Sequence, residues 1–202
     1  MTDSISLRSR LLDFTASDMA IVQKAECDFY GTNYYTSQFA RHREQPASET
    51  DYIGNVDKLQ ENKKGEAVGE ESGLHWLRSC PGMFRKHLTR IYRLYGKPIY
   101  ITESRCPCPG EDKKTREESV NYEYRIQYFK DHLDAVGKSV SEDGAVIKGY
   151  FARSLMDNLE WSGGHGPRFR VTNTDYDTLD QTPKKSALVL QKLIETMKTA
   201  SS

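Results

Sequence analysis

The sequence predicts an α/β fold built on a parallel sheet, and three observations predict it. A strand-like run, a loop and a helix-spaced apolar run follow one another three times, which is the βα pattern. The stretch Lys97-Pro98-Ile99-Tyr100-Ile101-Thr102-Glu103 alternates β-branched and aromatic residues after a Pro-marked start, and delivers a carboxylate at its C-terminal end. A further strand-like run, 145–155, leads into Asp157-Asn158-Leu159-Glu160-Trp161 and the Gly-rich Ser162-Gly163-Gly164-His165-Gly166. Two carboxylates at strand ends, one of them beside a Trp, suit a sugar site.

The elements follow in order. Residues 10–24 carry Leu11, Leu12, Phe14, Met19, Ile21 and Val22, and Thr15, Ser17 or Asp18 can cap a short helix beginning near residue 16. Residues 28–37, β-rich and bounded by polar residues, predict a strand. From 38 to about 75 the chain is polar, with Gly54, Gly65, Gly69 and Gly73 and no sustained period, and reads as a long loop with little regular structure. Phe84, Leu88, Ile91, Tyr92 and Tyr95 stand at helical spacing and end at Gly96, a good C-cap. The strand over 98–103 follows at once.

A Pro-rich, charged loop covers 104–115. Tyr122, Ile126, Phe129, Leu133, Val136 and Val140 mark an amphipathic helix closing near Asp143-Gly144. After the strand over 145–155 comes a loop to about 168, then an apolar run, 169–176, that can form an irregular hairpin. Thr182-Pro183 predicts the start of a final helix through Ala187, Leu190, Leu193, Ile194 and Met197.

Composition excludes several classes of function. The 202 residues are enough for a single domain, 1–202, with a core. Twenty-nine basic and 29 acidic residues balance to zero, so charge gives no case for nucleic acid or a membrane surface. The N-terminus lacks an apolar signal core and no segment approaches a membrane span, so the expectation is a cytoplasmic protein. Cys27, Cys80, Cys106 and Cys108 read as reduced thiols, because Cys106-Pro107-Cys108 is too tight for the usual metal or redox pair. No histidine pairs at ligand spacing with another His or Cys, so neither metal nor cofactor is expected.

Several segments together resemble the C-terminal part of a family 1 glycoside hydrolase, the β-glucosidase family with a TIM-barrel fold. They are Leu11-Leu12-Asp13-Phe14-Thr15, residues 28–37, Ile99-Tyr100-Ile101-Thr102-Glu103, Lys148-Gly149-Tyr150-Phe151 through Trp161, Gly166-Pro167-Arg168-Phe169, and Thr182-Pro183-Lys184-Lys185-Ser186-Ala187. The resemblance implies a partial (β/α)8 barrel of about three βα units, similar to strands six to eight; a complete barrel takes ~250 residues. It further implies that Glu103 stands at the nucleophile position, with Tyr35 hydrogen-bonded to it and Asn33 beside it. Glu160 would accept hydrogen bonds from two sugar hydroxyls, Trp161 would donate from its indole nitrogen, and Trp76 would sit at the entrance near the leaving group.

Departures from the family pattern bear on use. The Asn-Gly expected after the nucleophile is Ser104-Arg105, the sugar-stacking aromatic seven residues before Glu160 is Arg153, and Arg-Phe-Gly is Arg168-Phe169-Arg170. An Arg at a Gly position implies an altered backbone or more room. Retaining glycosidases need two carboxylates, and the resemblance places the acid/base Glu, with the first five strands, outside the matched part. The expectations are therefore three: a truncated, non-catalytic protein that binds a sugar or modulates a complete β-glucosidase; an enzyme half completed by an N-terminal fragment; or a gene product without selected activity. Arg153 or Arg105 should reach Glu103. Three strands cannot close a barrel, so the open sheet face, expected to include residues along 99–101 and 147–151, should self-associate or bind a β-glucosidase.

Overall fold

A computed structural model describes residues 13–44, 56–157, 160, 164 and 167–200. The chain divides into two compact units, residues 1–28 with 40–59, and residues 29–39 with 60–202. In the smaller unit, helix α1 (Ala16–Lys24) starts at Thr15 through a capping box: Asp18 N donates to Thr15 Oγ1 at 3.2 Å, and Thr15 N donates to Asp18 Oδ2 at 2.9 Å. Strand β2 (Phe39–His42) pairs with β3 (Val56–Leu59). Arg41 and Arg43 both bind Asp57, each at 3.0 Å.

The larger unit holds the parallel sheet. Strands β1 (Tyr30–Tyr34), β6 (Ile99–Ser104) and β7 (Ile147–Ala152) lie in the order β1-β6-β7, all parallel. Between β1 and β6 come β4 (Glu70–Glu71), β5 (Arg78–Ser79) and helix α2 (Pro81–Tyr95). Between β6 and β7 come the short helix α3 (Arg116–Val120) and the long α4 (Glu123–Ser141). Antiparallel strands β8 (Thr172–Thr174) and β9 (Gln181–Pro183) precede the last helix, α5 (Lys185–Ala200).

In the larger unit the long helices form where an apolar stripe can be buried. Phe84, Leu88 and Ile91 of α2 pack with Ala135 and Val136 of α4 over Tyr34, Ile99 and Ile101. Pro81 opens α2, where its missing N–H costs nothing. Gly96 closes it at φ 61°, a left-handed cap whose N–H reaches Tyr92 O at 2.8 Å. A second cluster joins Phe129 and Leu133 of α4 to Leu77, Cys106, Phe169 and Leu190 of α5. Burial pushes the Cys106 thiol up to about 11 and that of Cys108 to about 12, so both are protonated core groups.

Four expectations need correction. Residues 38–75 are not without regular structure: β2, β3 and β4 lie there, and Glu61 bridges Ala67 antiparallel. The strand expected over 28–37 ends at Tyr34, because Thr36 turns away and accepts from Arg78 N at 2.9 Å. The last helix begins at Lys185; Pro183 belongs to β9, which pairs with β8. Ile99 and Ile101 face the helices, not the open side of the sheet, and neither is exposed at all. The open face carries Tyr100, Phe151 and Phe29, the last two 57% and 52% exposed. Phe29 packs edge-on against Tyr100, which lies across Gly149 so closely that a Cβ there would stand 2.8 Å from the ring. The expected Leu11, Leu12 and Trp161 positions fall outside the described residues.

Candidate active site

Three parallel strands end together, and that edge is where the polar side chains converge. Register places Asn33 of β1 beside Glu103 of β6, and Ala152 of β7 beside Ser104, so Arg153 leaves β7 at the same level. Burial on β6 alternates: Ile99, Ile101 and Ser104 are covered, while Thr102 and Glu103 reach toward the open side. Asn33 Oδ1 accepts from Thr102 Oγ1 at 2.6 Å. The Tyr35 hydroxyl donates to Glu103 Oε2, and Arg153 Nη1 donates to Glu103 Oε1 at 2.8 Å. Both oxygens of Glu103 are thus held, one by a phenol and one by a guanidinium. The expected reach of an arginine to Glu103 is met by Arg153.

Arg105 goes elsewhere. Its fork meets Glu160 squarely, Nη1 to Oε1 at 2.7 Å and Nη2 to Oε2 at 2.8 Å, with the pair almost fully buried. Arg170 adds a further bond to Glu160 Oε1. The Arg105 guanidinium stacks 4.2 Å from the Phe169 ring centre and 5.4 Å from that of Tyr35. Neither Arg105 nor Arg170 has a positive φ; Leu179 is the one such non-glycine among the described residues. The arginines fit the backbone without strain.

Asn33, Tyr35, Glu103, Arg105, Arg153 and Glu160 line an open cavity of about 640 Å³, together with His75, Trp76 and Phe169. Trp76 is 44% exposed, and its carbonyl accepts from Gln60 Nε2 at 3.1 Å. Asn33, Tyr35, Trp76, Glu103 and Glu160 are therefore brought together on one cavity wall. Among the described residues, Glu103 and Glu160 are the carboxylates on its wall, and no cluster of three His, Cys, Asp or Glu could hold a metal.

Behind the wall lies a buried ionic group that the sequence did not announce. Glu111 accepts from Arg125 Nη2 at 2.6 Å and from Lys184 Nζ at 2.6 Å, all three side chains at most 2% exposed. Arg125 also donates to the Arg168 carbonyl at 2.5 Å, and Arg168 Nη1 binds Asp157 at 3.1 Å. This group clamps Asp157 and Arg168, which flank Glu160 in sequence. Its members are separated by up to 73 residues, so no local spacing could reveal them.

The family model for Glycosyl hydrolase family 1 matches residues 1–199. Beta-glucosidase 1B of Phanerodontia chrysosporium is 36% identical over 186 residues, 92% of this chain and 34% of that protein. Beta-glucosidase 4 of Oryza sativa subsp. japonica is 35% identical over 90% of this chain and 39% of its own length. Among solved structures, beta-glucosidase 2 from the fungus Trichoderma reesei, in complex with Tris, superposes with a TM-score of 0.87 at 43% identity, over 93% of this chain and 41% of that one. A beta-glucosidase from the fungus Humicola insolens, in complex with glucose, gives 0.88 at 37% identity, over 96% and 41%. The chain thus spans about a third to two fifths of the length of the relatives it matches.

Proposed function

The chain belongs to glycosyl hydrolase family 1, and from that premise we propose that these 202 residues bind rather than cleave, acting on a sugar or on a complete β-glucosidase whose activity they modulate. Strands β1, β6 and β7 correspond to the sixth, seventh and eighth strands of the family's barrel. Glu103 stands at the nucleophile position with Tyr35 as its hydrogen-bond donor, and Glu160 with Asn33 and Trp161 at sugar-hydroxyl positions. The observation that carries the reading is the set of ion pairs: Arg153 holds Glu103, and Arg105 with Arg170 holds Glu160.

Retaining glycosidases work with two carboxylates about 5–5.5 Å apart, one attacking and one donating a proton. Here the second cavity carboxylate, Glu160, is committed to a buried bidentate pair with Arg105. Loss of general acid catalysis alone is worth about 10²–10⁴-fold in rate. Arg153 in place of a stacking aromatic also removes an apolar platform.

The partner proposed for the open sheet face is a second copy or a complete β-glucosidase. Phe29, Tyr100 and Phe151 form its apolar part, and burying such surface is worth about 25 cal/mol per Å². Among the described residues no helix is long and apolar enough to cross a membrane. A second reading, an enzyme half completed by an N-terminal fragment, is favoured by one observation: Tyr35 and Asn33 keep the arrangement around Glu103.

The experiment is aryl release from an aryl β-glucoside by the purified chain, alone and then mixed with an intact family 1 enzyme. No release alone and an altered rate in the mixture is the expected result, and Phe151→Asp should abolish the effect in the mixture while leaving the fold intact. Release by the chain alone, lost in Glu103→Gln, would refute the reading.

A further inference from the structure

Helix α2 has no acidic residue, yet it carries Arg85, Lys86, Arg90 and Arg93. Lys86, Arg90 and Arg93 stand at i, i+4 and i+7, which makes them one stripe about 10 Å long on a helix. All three are exposed, and none makes an ion pair or hydrogen bond among the described residues. Elsewhere on the surface basic side chains sit beside acids: Lys138 with Asp134 at 2.7 Å, Lys185 with Glu123 at 2.7 Å and Arg78 with Glu71 at 3.0 Å. In a chain whose charges sum to zero, the α2 stripe is thus a local concentration of unpaired cations.

The stripe borders a cavity of about 660 Å³ that Arg85, Thr89, Leu94 and Asp143 also line. Arg85 is fixed there: Nε donates to Asp143 Oδ2 at 2.7 Å, Nη2 to Asp143 Oδ1 at 2.8 Å, and Nη2 binds Glu142 at 2.7 Å. Thr89 Oγ1 donates to Asp143 Oδ2 at 2.8 Å and ties the same carboxylate to α2. Four cations therefore stand against two carboxylates, and Arg85 engages both of those. Asp143 precedes β7, whereas Glu103 and Arg153 lie at the far ends of their strands, so this cavity is separate from the candidate active site.

We propose that this face of α2 docks an acidic peptide segment of a partner protein. Its carboxylates meet Lys86, Arg90 and Arg93, and an apolar side chain covers Leu94. Guanidinium forks match carboxylates with two parallel N–H bonds, and the two arginines have all their donors to give. Leu94 decides between anions: it is 60% exposed inside the same cavity. A phosphate or a nucleic-acid backbone has no apolar group to bury there, whereas an acidic peptide with a neighbouring leucine uses both features. The recognition is spread along one helix flank, which suits a helical segment with acids at the same i, i+4, i+7 spacing.

Calorimetric titration of the full chain tests this with a short acetylated helical peptide that has Glu at i, i+4 and i+7 and Leu at both ends of that stripe. The same peptide with Gln for Glu, sodium tripolyphosphate and phosphatidylserine vesicles are the comparisons. Charge-assisted contacts imply that the acidic peptide binds about tenfold or more tighter than the Gln peptide. Salt at about 1 M, where the screening length is ~3 Å, should weaken that preference. Arg90→Glu combined with Arg93→Glu should erase it with the circular dichroism unchanged, because neither side chain has a partner to lose. Lys192→Glu, which reverses an exposed charge on α5, should leave it intact. Leu94→Ser should weaken both peptides and keep their ratio. If the double reversal fails to fold, Arg93→Gln decides. Equal binding of the two peptides, binding of neither, or a preference that survives the charge reversal would each overturn the inference. Tripolyphosphate or vesicles binding as tightly as the acidic peptide, or Leu94→Ser without effect, would overturn the choice of a peptide as occupant.

Discussion

Arg125→Met is expected to lower folding stability by about 3–5 kcal/mol, the range for breaking a buried ion pair and leaving its partner charged. Arg125 is 2% exposed, and its fork spans both oxygens of Glu111, at 3.2 and 2.6 Å, while reaching the Arg168 carbonyl. Without it Glu111 retains Lys184 alone, and the carbonyl loses its donor. Adding Glu111→Gln should cost less than the sum of the two single changes, because the stranded charge is then gone. Burial alone would raise the Glu111 carboxyl, but Arg125 and Lys184 outweigh it and hold it below the ordinary carboxylate range. A lowered carboxyl stabilises the fold above its unfolded value and loses that contribution as pH falls through its lowered folded value. Acid unfolding should therefore be less steep in Arg125→Met. Urea midpoints at neutral and acid pH measure both effects; a midpoint unchanged in the single variant would contradict the account.

Stability is expected to fall between about pH 6.5 and 4 through one histidine. His132 lies on α4 with no exposure, its ring stacked 3.8 Å from that of Tyr128. Nδ1 donates to the Tyr128 carbonyl at 3.0 Å, which fixes the neutral tautomer, and Nε2 has no partner among the described residues. Burial pushes its pKa from 6.5 down to about 4. The unfolded chain therefore takes up the proton first as pH falls, so the contribution is complete above 6.5 and is lost on descent toward 4. The full effect is about 3 kcal/mol, at 1.36 kcal/mol per unit. His87, half-buried against Thr32, shifts the same way for the same reason. His132→Phe keeps the stacked ring without the titrating nitrogen, so its melting temperature should vary less with pH in this window. An equal slope in the variant would assign the acid sensitivity elsewhere.

The three βα units are legible in the sequence because each is written locally. Helical spacing in Phe84, Leu88 and Ile91, punctuation by Pro81 and Gly96, and alternation in Ile99-Tyr100-Ile101 need no distant partner. Which side of β6 faces the helices is a different matter: alternation says that Ile99 and Ile101 share a face and is silent on which one. The pairing of Pro183 in β9 was hidden because its partner lies in β8, not in the neighbouring turn. The site shows the same division. Tyr35, Glu103 and Glu160 were identifiable from motif context, and Arg153 from its replacement of an aromatic. That Arg105 would choose Glu160, 55 residues away, depends on Phe169 and Arg170 closing over it, and no local pattern encodes that choice.

The central claim, that arginines hold the sugar-site carboxylates for binding rather than cleavage, is tested most directly by covalent labelling. A 2-deoxy-2-fluoro-β-glucoside with a dinitrophenolate leaving group needs no acid catalyst to depart, so it questions the nucleophile position alone. Intact-mass measurement of the full chain after incubation should show no added fluoroglucosyl group, because Glu103 is engaged by Arg153 and Tyr35. A stoichiometric adduct mapped to Glu103 would contradict the account.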